Sequence, residues 1–250
     1  MRLTAFVLLF AAALAHSAPP PEVTVAAAAN LSRIFQLIGP EFQTASGIHP
    51  VFSFGSTAQL TQQIENAAPY DIFTAADSAH LDQLDREGKL TPGSKAVYAT
   101  GILALWIPPA GHARIEHLTD LTSPAVRVIA IARPELAPYG EATVETLRHL
   151  GIWDRVKSKA VYADSIGMAK QYGTSGNADA VFTAWSLVLK QDGKVIRVDE
   201  NLHKPIEQAL GIMAASHHQS NAAKFADFLI KGKGREILAT QGYRVPEQRP

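Results

Sequence analysis

The chain has 250 residues, of which 47% are hydrophobic and 18% are charged, with 23 basic and 23 acidic side chains and no cysteine. This length provides one large domain or two smaller ones, with enough apolar surface to bury a core. A sequence without cysteine excludes disulfides, thiolate metal sites and cysteine nucleophiles. The zero net charge argues against a nucleic-acid-binding protein, which needs a basic surface.

The first 18 residues have the pattern of an export signal. Arg2 supplies the positive charge, residues 3–15 are apolar apart from one threonine, and Ala13-Leu14-Ala15 matches a cleavage pattern. We expect a signal peptide over residues 1–18, cleaved near Ala15 to Ala18, and a periplasmic mature protein. The apolar run is too short to span a bilayer, so we expect no integral membrane protein. Without a cysteine to carry a lipid, we also expect no lipoprotein.

Strand and helix patterns alternate over the first hundred residues. Short apolar runs with β-branched residues predict strands, and apolar side chains at helical spacing predict helices. The predicted strands are 23–29, 49–54 and 71–75, and the predicted helices are 31–45, 57–66 and 78–87. The apolar run 96–107 is longer than a usual strand, and we expect it to cross from one lobe of the protein to another.

The alternation restarts in the second half of the chain. Strands are predicted at 126–132, 160–163, 178–183, 194–198 and 206–215, and helices at 139–150, 167–172 and 222–230. Such alternation predicts an α/β fold with mostly parallel sheets flanked by helices. The two groups predict two lobes with a cleft between them, lobe I being 22–100 plus 208–250 and lobe II 101–207. We expect 206–215 to cross back, with hinges near Thr100 and Leu210.

Four strand-to-helix junctions carry neutral polar or aromatic side chains, at 29–32, 55–58, 137–140 and 164–167. Open α/β sheets bind ligands at the carboxyl ends of their strands, where helices begin. Each junction alone is typical of an ordinary helix cap or of a packed aromatic residue. Together they offer N–H and O–H donors without a lysine or arginine, which suits a small, fully ionised oxyanion.

Several enzyme motifs are missing from the sequence. It contains no G-x-S-x-G, H-E-x-x-H, G-x-x-x-x-G-K-[ST] or G-x-G-x-x-G segment. An exported hydrolase with Ser56 or Ser165 as its nucleophile is an alternative, although no motif places a histidine as its base. We therefore expect a binding protein and not an enzyme, with no cofactor and no metal ligated by side chains.

Several segments resemble the periplasmic molybdate-binding proteins of ABC importers, and the resemblance runs from about Val23 to Val245. The segments that carry it are VAAAANL at 25–31, SFGST at 53–57, APYDIFTAAD at 68–77, APYG at 137–140, LGIWD at 150–154 and Gly242-Tyr243. The resemblance implies a type II periplasmic binding protein fold, whose two lobes close on a tetrahedral dianion.

The resemblance also implies a site and a partner. By motif position, the molybdate-binding residues are Asn30, Ser56, Thr57, Tyr139 and Ile166, the last through its main-chain N–H group. The implied ligand is molybdate, with tungstate as well, and the molybdenum is bound as the oxyanion. The implied partner is the permease of an ABC importer, which the protein meets as a monomer.

The sequence departs from the family pattern at three positions. Asn30 replaces the commoner serine, Ala29 stands where one subgroup carries threonine, and Ala184 falls about where other members carry a binding tyrosine. Tyr139 would take over that last contact. These changes make the first wall of the site poorer in hydroxyl groups. They leave open a divergent member that binds another oxyanion or a small organic acid.

Overall fold

The computed structural model describes residues 20–111 and 113–247, and the predicted signal peptide lies outside them. The strands are β1 (Glu22–Ala28), β2 (His49–Gly55), β3 (Ile72–Ala75), β4 (Ala96–Gly101), β5 (Leu103–Ile107), β6 (Ile129–Ala132), β7 (Ala160–Ala163), β8 (Ala180–Ala184), β9 (Lys194–Arg197), β10 (Ile206–Ile212) and β11 (Tyr243–Arg244). The α-helices are α1 (Ser32–Ser46), α2 (Thr57–Glu65), α3 (Ala79–Arg86), α4 (Pro138–His149), α5 (Trp153–Val156), α6 (Ile166–Thr174), α7 (Trp185–Val188), α8 (Gln219–Ile230) and α9 (Lys233–Thr240).

The strands form two sheets, each of which is the centre of one lobe. The six-stranded sheet of lobe I has the order β11-β4-β10-β3-β1-β2, and the five-stranded sheet of lobe II has the order β7-β6-β8-β5-β9. The pairs β1–β2, β1–β3, β6–β7 and β6–β8 are parallel, while β4, β5 and β10 pair with their neighbours antiparallel. Helices connect the parallel strands, as the alternating sequence pattern predicts.

Strand β1 is buried on both faces, which explains its continuous apolar sequence. Val25 and Ala27 pack on one side with Phe35 and other α1 residues, while Ala26 packs on the other side in a cluster with Leu60. Helix α1 ends at Gly47, whose φ of 71° is the left-handed conformation that glycine adopts most easily. The first strand-to-helix junction follows directly where this buried strand ends, at Ala28.

The long apolar run at 96–107 is two strands and not one. Strand β4 belongs to the six-stranded sheet and β5 to the five-stranded sheet, and Ile102 lies between them. The chain therefore crosses between the lobes at Ile102, two residues beyond the predicted hinge at Thr100.

The predicted return crossing within 206–215 is wrong. All of β10 lies in the six-stranded sheet, and Leu210 pairs with Thr74 on one side and Ala96 on the other. A residue hydrogen-bonded into the middle of a sheet cannot act as a hinge, so the prediction at Leu210 fails. The chain returns through 198–205, between β9 and β10. The predicted lobe limits stay a prediction, although Gly101 and Ile206 are paired within the six-stranded sheet.

Strand β6 begins three residues later than the apolar pattern predicts. The main-chain N–H groups of Arg127 and Val128 donate to the Asp179 carboxylate at 2.8 and 3.0 Å, and so are used outside the strand ladder. Within the described ranges, no helix is long and apolar enough to cross a membrane.

Candidate functional site

The four strand-to-helix junctions meet at one small cavity between the lobes. Its volume is about 10 Å³, about the room that one water molecule needs. The cavity is lined by Ala28, Ala29, Asn30, Ser56, Thr57, Ala76, Ala137, Pro138, Tyr139 and Ile166. The structure therefore brings all five predicted site residues together. Four larger clefts, of about 260 to 490 Å³, lie elsewhere on the described surface.

The two lobes touch at this cavity. The Ala58 N–H group in the first turn of α2 donates to the Leu136 carbonyl oxygen at 3.2 Å. On another wall, a Cβ built on Gly167 would lie 3.7 Å from the Ala29 Cβ, which is ordinary contact. The lobes must therefore separate before an ion larger than water can enter.

Ser56 caps the start of α2 and presents a buried hydroxyl group. It is extended in conformation, with φ −70° and ψ 153°, and 3% exposed. Its Oγ faces the Gln59 N–H group in the capping box of α2, and no acceptor for its own hydrogen lies at hydrogen-bond distance among the described residues. Leaving a buried hydroxyl unsatisfied costs about 1–3 kcal/mol, so this group favours a ligand that accepts its hydrogen.

Thr57 has a different role from its neighbour. Its Oγ1 accepts a hydrogen bond from the Ala76 N–H group at 3.2 Å, which ties the end of β3 to the start of α2. As the first residue of α2, Thr57 has a main-chain N–H group without an acceptor inside the helix. Thr57 therefore presents two polar groups at the cavity, this main-chain N–H group and its side-chain hydroxyl.

The Asn30 side chain does not donate into the cavity. Its Nδ2 donates to Gln208 Oε1 at 2.7 Å and to the Tyr243 hydroxyl at 2.9 Å, which uses both amide hydrogens. Gln208 Nε2 donates to the Ile206 carbonyl at 3.2 Å, which leaves Oε1 as the acceptor for Asn30. Asn30 Oδ1 is buried without a partner in the described part of the chain. The Asn30 side chain therefore serves the packing behind the cavity, and the predicted role of Asn30 in molybdate binding would fall to its main-chain N–H group.

Tyr139 lies in the first turn of α4, after Pro138, and is 1% exposed. Burial, with smaller contributions from the Tyr243 and Tyr98 phenols, raises the pKa of the Tyr139 hydroxyl well above its ordinary value, and the nearby Asn30 side chain opposes the rise. The hydroxyl therefore stays protonated near neutral pH and can donate. Like Ser56 Oγ, it has no hydrogen-bond partner within 20–111 and 113–247.

Ile166 is the first residue of α6, and its side chain is buried. Ser165 caps this helix because its Oγ accepts from the Met168 N–H group at 3.2 Å. The N–H groups at the start of α6 have no acceptor within the helix and carry the positive end of its dipole. Ile166 thus has a main-chain N–H group without an acceptor inside the helix, and its contact with the anion stays a prediction.

The side chains that line the cavity are uncharged, whereas the helices that begin at the cavity direct the positive ends of their dipoles towards it. None of the described residues that line it is Asp, Glu, Lys, Arg or His. Helices α2, α4 and α6 and the 3-10 turn Ala29–Leu31 begin there, and helix N-termini favour negative charge. No group of three His, Asp or Glu residues that could hold a metal ion occurs in the described ranges. This arrangement suits an anion held by N–H and O–H groups.

Sequence reasoning missed the polar residues behind Asn30. The Tyr243 hydroxyl donates to the Asn30 carbonyl at 3.0 Å and accepts from Ser186 Oγ at 3.1 Å, while Gln208 is 0% exposed. The available signal was a glutamine inside the apolar run of β10. Ala184 is buried but is not among the residues that line the cavity.

Comparison with known proteins then gives the family. The family model described as "Bacterial extracellular solute-binding protein" matches residues 23–244. The chain belongs to this family. This membership confirms the expectation of a binding protein and not an enzyme.

Two relatives of this solute-binding protein are named molybdate-binding protein ModA. The one from Azotobacter vinelandii is 36% identical over 242 residues, which is 95% of either chain. The one from Rhodobacter capsulatus is 33% identical over 244 residues, covering 97% of this chain and 96% of the relative. These relatives confirm the resemblance seen in the sequence.

Solved structures confirm the two-lobe fold of this solute-binding protein. The periplasmic molybdate-binding protein of Azotobacter vinelandii matches with a TM-score of 0.83 at 31% identity, covering 90% of this chain and 100% of that one. The sulfate-binding protein SubI of Mycobacterium tuberculosis matches with a TM-score of 0.77 at 15% identity, covering 91% and 88%, and shows the fold alone. The predicted type II periplasmic binding protein architecture is thus confirmed.

Proposed function

We propose that this protein captures molybdate in the periplasm and delivers it to the permease of an ABC importer. The observation that carries the proposal is the pair of buried hydroxyl groups, on Ser56 and Tyr139, that lack partners among the described residues at a cavity where helices from both lobes begin. The names of the relatives, which match over nearly the whole chain, support molybdate as the ligand of this site.

The donor set matches the chemistry of a tetrahedral dianion. Molybdate carries only acceptor oxygens when fully ionised, so each oxygen can receive hydrogens from hydroxyl or main-chain N–H groups. Hydrogen bonds to charged groups contribute about 1.5–3 kcal/mol each, and the helix dipoles add to them. Ser56, Tyr139, Thr57, Ile166 and the main-chain N–H of Asn30 supply the donors.

Selectivity follows from the size and protonation of the ion. Tungstate has nearly the same size and charge as molybdate, so the site binds both. Sulfate is smaller, and donors fitted to the larger ion hold it more loosely. Hydrogen phosphate carries an O–H group that meets donors on most walls of the cavity.

A single observation favours the alternative of a divergent ligand. Asn30 Oδ1 is a buried acceptor without a partner in the described residues, and it could receive a hydrogen from a protonated anion or a small organic acid. Ala29 beside it offers no hydroxyl. Phosphate and small hydroxy acids are therefore the comparison ligands that matter most.

Capture requires the lobes to open and close. We infer that the hinge uses Ile102 and the return segment 198–205, where the chain passes between the two sheets. Closing brings Tyr139 and Ile166 of lobe II onto Asn30, Ser56 and Thr57 of lobe I. The closed protein then presents surfaces of both lobes to the permease as a monomer.

The test is a thermal-shift series on the mature chain with molybdate, tungstate, sulfate, phosphate, lactate and no ligand. At a thousandfold excess over Kd, binding adds about 4 kcal/mol of stability. At this size, each kcal/mol raises Tm by about 2–4 °C, so we expect a shift of about 10 °C with molybdate and tungstate only. No shift with either would overturn the proposal, and a larger shift with phosphate or lactate would favour the divergent ligand.

A further inference from the structure

Gly101 is the last residue of β4, next to the crossing at Ile102. It pairs with Ile206 and with Tyr243 inside the six-stranded sheet. Its φ is not in the left-handed region, so the backbone itself accepts any residue. The reason for a glycine here must therefore lie in the space around it.

That space is filled by Tyr139 of the other lobe. A Cβ atom built on Gly101 would lie 2.8 Å from Tyr139 Cζ and closer still to the hydroxyl oxygen. It would also lie 3.1 Å from Nε2 of Gln208, the residue that orients Asn30. The end of the Tyr139 side chain thus occupies the position of a missing side chain on lobe I.

The contact joins the two lobes. Tyr139 belongs to α4, which follows β6 of the five-stranded sheet, whereas Gly101 belongs to the six-stranded sheet. When the lobes separate, the Tyr139 hydroxyl leaves the backbone of β4. With the lobes apart, an alanine side chain at position 101 would not touch Tyr139.

We propose that Gly101 is a positioning residue for anion binding, because the absence of a side chain leaves a space that the Tyr139 hydroxyl fills when the lobes close. We call this space the Gly101 seat. With any side chain at 101, Tyr139 must retreat until its atoms are at least 3.4 Å from the new Cβ, where ordinary contact begins. Its hydroxyl then no longer reaches the anion at hydrogen-bond distance. This inference rests on the proposed function, since it concerns the same site.

The variant that tests the seat is Gly101→Ala, compared with Gly211→Ala. Gly211, in β10, is also crowded, since a Cβ there would lie 2.8 Å from a Leu90 side-chain carbon. That neighbour packs in the core of lobe I, so the control changes the packing of one lobe and not closure. Molybdate titrations followed by calorimetry give the affinities, and small-angle scattering follows closure through the radius of gyration.

We expect Gly101→Ala to weaken molybdate binding at least tenfold and to reduce the ligand-induced decrease in radius of gyration. Gly211→Ala should keep the molybdate affinity and the ligand-induced decrease in radius of gyration of the unsubstituted chain, even if its Tm changes. In the Tyr139→Leu background, where both the hydroxyl and the crowding Cζ atom are gone, Gly101→Ala should cost at most about a threefold further loss. Such non-additivity is the signature of two groups in direct contact.

Each result decides a separate point. If the unsubstituted chain gives no heat with molybdate or tungstate, the proposed function fails and this inference fails with it. If that chain binds and Gly101→Ala binds equally well, or if its loss is the same in the Tyr139→Leu background, only the seat is overturned. Should Gly101→Ala fail to fold, recovery of folding by Tyr139→Leu, which removes both the hydroxyl and Cζ, supports the seat, and no recovery overturns it.

Discussion

Two adjoining regions of the interlobe cleft are built from opposite kinds of side chain. The buried cavity is lined by uncharged residues, while the outer groove, which shares Ala76 and Pro138 with it, is charged. The charged residues of the groove are Asp77, Glu141, Glu145, Lys204 and Glu207. Its four carboxylates outnumber its single ammonium group, so the mouth presents no positive field to an incoming anion.

The comparison indicates that binding comes from fixed dipoles at short range. Charges in the groove are solvated and screened over about 8–10 Å at physiological salt. The N–H and O–H groups of the cavity are buried and held by helix starts, so within each lobe they are already oriented when the lobes close on an anion. Charge changes should therefore have large effects in the cavity and small effects in the groove.

The largest effect is expected from a charge placed inside the cavity. Ser56→Asp keeps a good N-cap for α2 but sets a carboxylate against the dianion. Repulsion between charges of −1 and −2 at about 4 Å amounts to about 8 kcal/mol at an effective dielectric constant of about 20. Even half of this corresponds to a loss of about a thousandfold in affinity. Calorimetric titration with molybdate measures it.

The matched control is Ser56→Asn, which is similar in size and carries no charge. It should bind molybdate far more tightly than Ser56→Asp does. Equal affinities for the two variants would mean that the cavity is not where the anion binds.

Removing a donor hydroxyl should have the next largest effect. Tyr139→Phe and Ser56→Ala each delete one hydrogen bond to a charged ligand, which contributes about 1.5–3 kcal/mol. We therefore expect each variant to weaken molybdate binding by about 10- to 150-fold in calorimetric titrations.

Two buried hydroxyls outside the cavity provide the controls. Tyr98 and Thr183 also have side-chain oxygens without partners in the described part of the chain, but neither lines the cavity. Tyr98→Phe and Thr183→Val should leave the affinity unchanged. A similar loss in all four variants would show that the effect reflects general packing and not contact with the ion.

A smaller effect is expected at the edge of the groove, where His80 Nδ1 lies 2.8 Å from Asp77 Oδ2. The hydrogen bond to Asp77 raises the pKa of His80, and burial opposes it. A raised pKa in the folded state stabilises the fold fully below about pH 6.5, and this stability is lost as pH rises through the folded-state value.

Urea unfolding at several pH values measures whether the stability contributed by the His80–Asp77 pair falls as pH rises. Asp77 Oδ1 also accepts from the His80 main-chain N–H group at 2.9 Å. Asp77→Asn keeps an oxygen for this hydrogen bond but removes the charge, so the variant should be less stable than the parent by up to about 1 kcal/mol at pH 6. The difference should shrink as pH rises towards 8. A difference that grows with pH would contradict the assignment.

The smallest effect is expected from Glu141→Gln in the groove. This carboxylate lies near Lys204, whose Nζ is 3.8 Å from Glu141 Oε1, and both side chains are more than half exposed. We expect less than a twofold change in molybdate affinity at 0.15 M salt, and a modest rise in the association rate at low salt. A tenfold change at physiological salt would show that the groove, and not the cavity, sets the affinity.

The sequence predicts those parts of the molecule that depend on local patterns. Strand β1 and helix α1 follow from one apolar run and one apolar face, and the junctions follow from where such runs end. Because parallel strands end at a common edge, the closeness of Asn30 to Ser56 in one lobe and of Tyr139 to Ile166 in the other could also be predicted. The family resemblance then added the ligand and the binding roles.

The sequence does not predict what depends on distant partners. The orientation of Asn30 is set by Gln208 and Tyr243, which are 178 and 213 residues away in the chain. The return crossing was misplaced because β10 is apolar along its length, and burial within one sheet looks the same as a crossing in a single sequence. The Gly101 seat requires the position of Tyr139 from the other lobe.

The most direct test of the cavity as the anion site is a crystal structure of the mature chain grown with tungstate, using the anomalous signal of tungsten to locate the ion. We predict one strong peak between the lobes, within hydrogen-bonding reach of Ser56 Oγ, the Tyr139 hydroxyl and the Ile166 main-chain N–H group. A peak in the charged groove, or at another surface cleft with the cavity empty, would contradict the account.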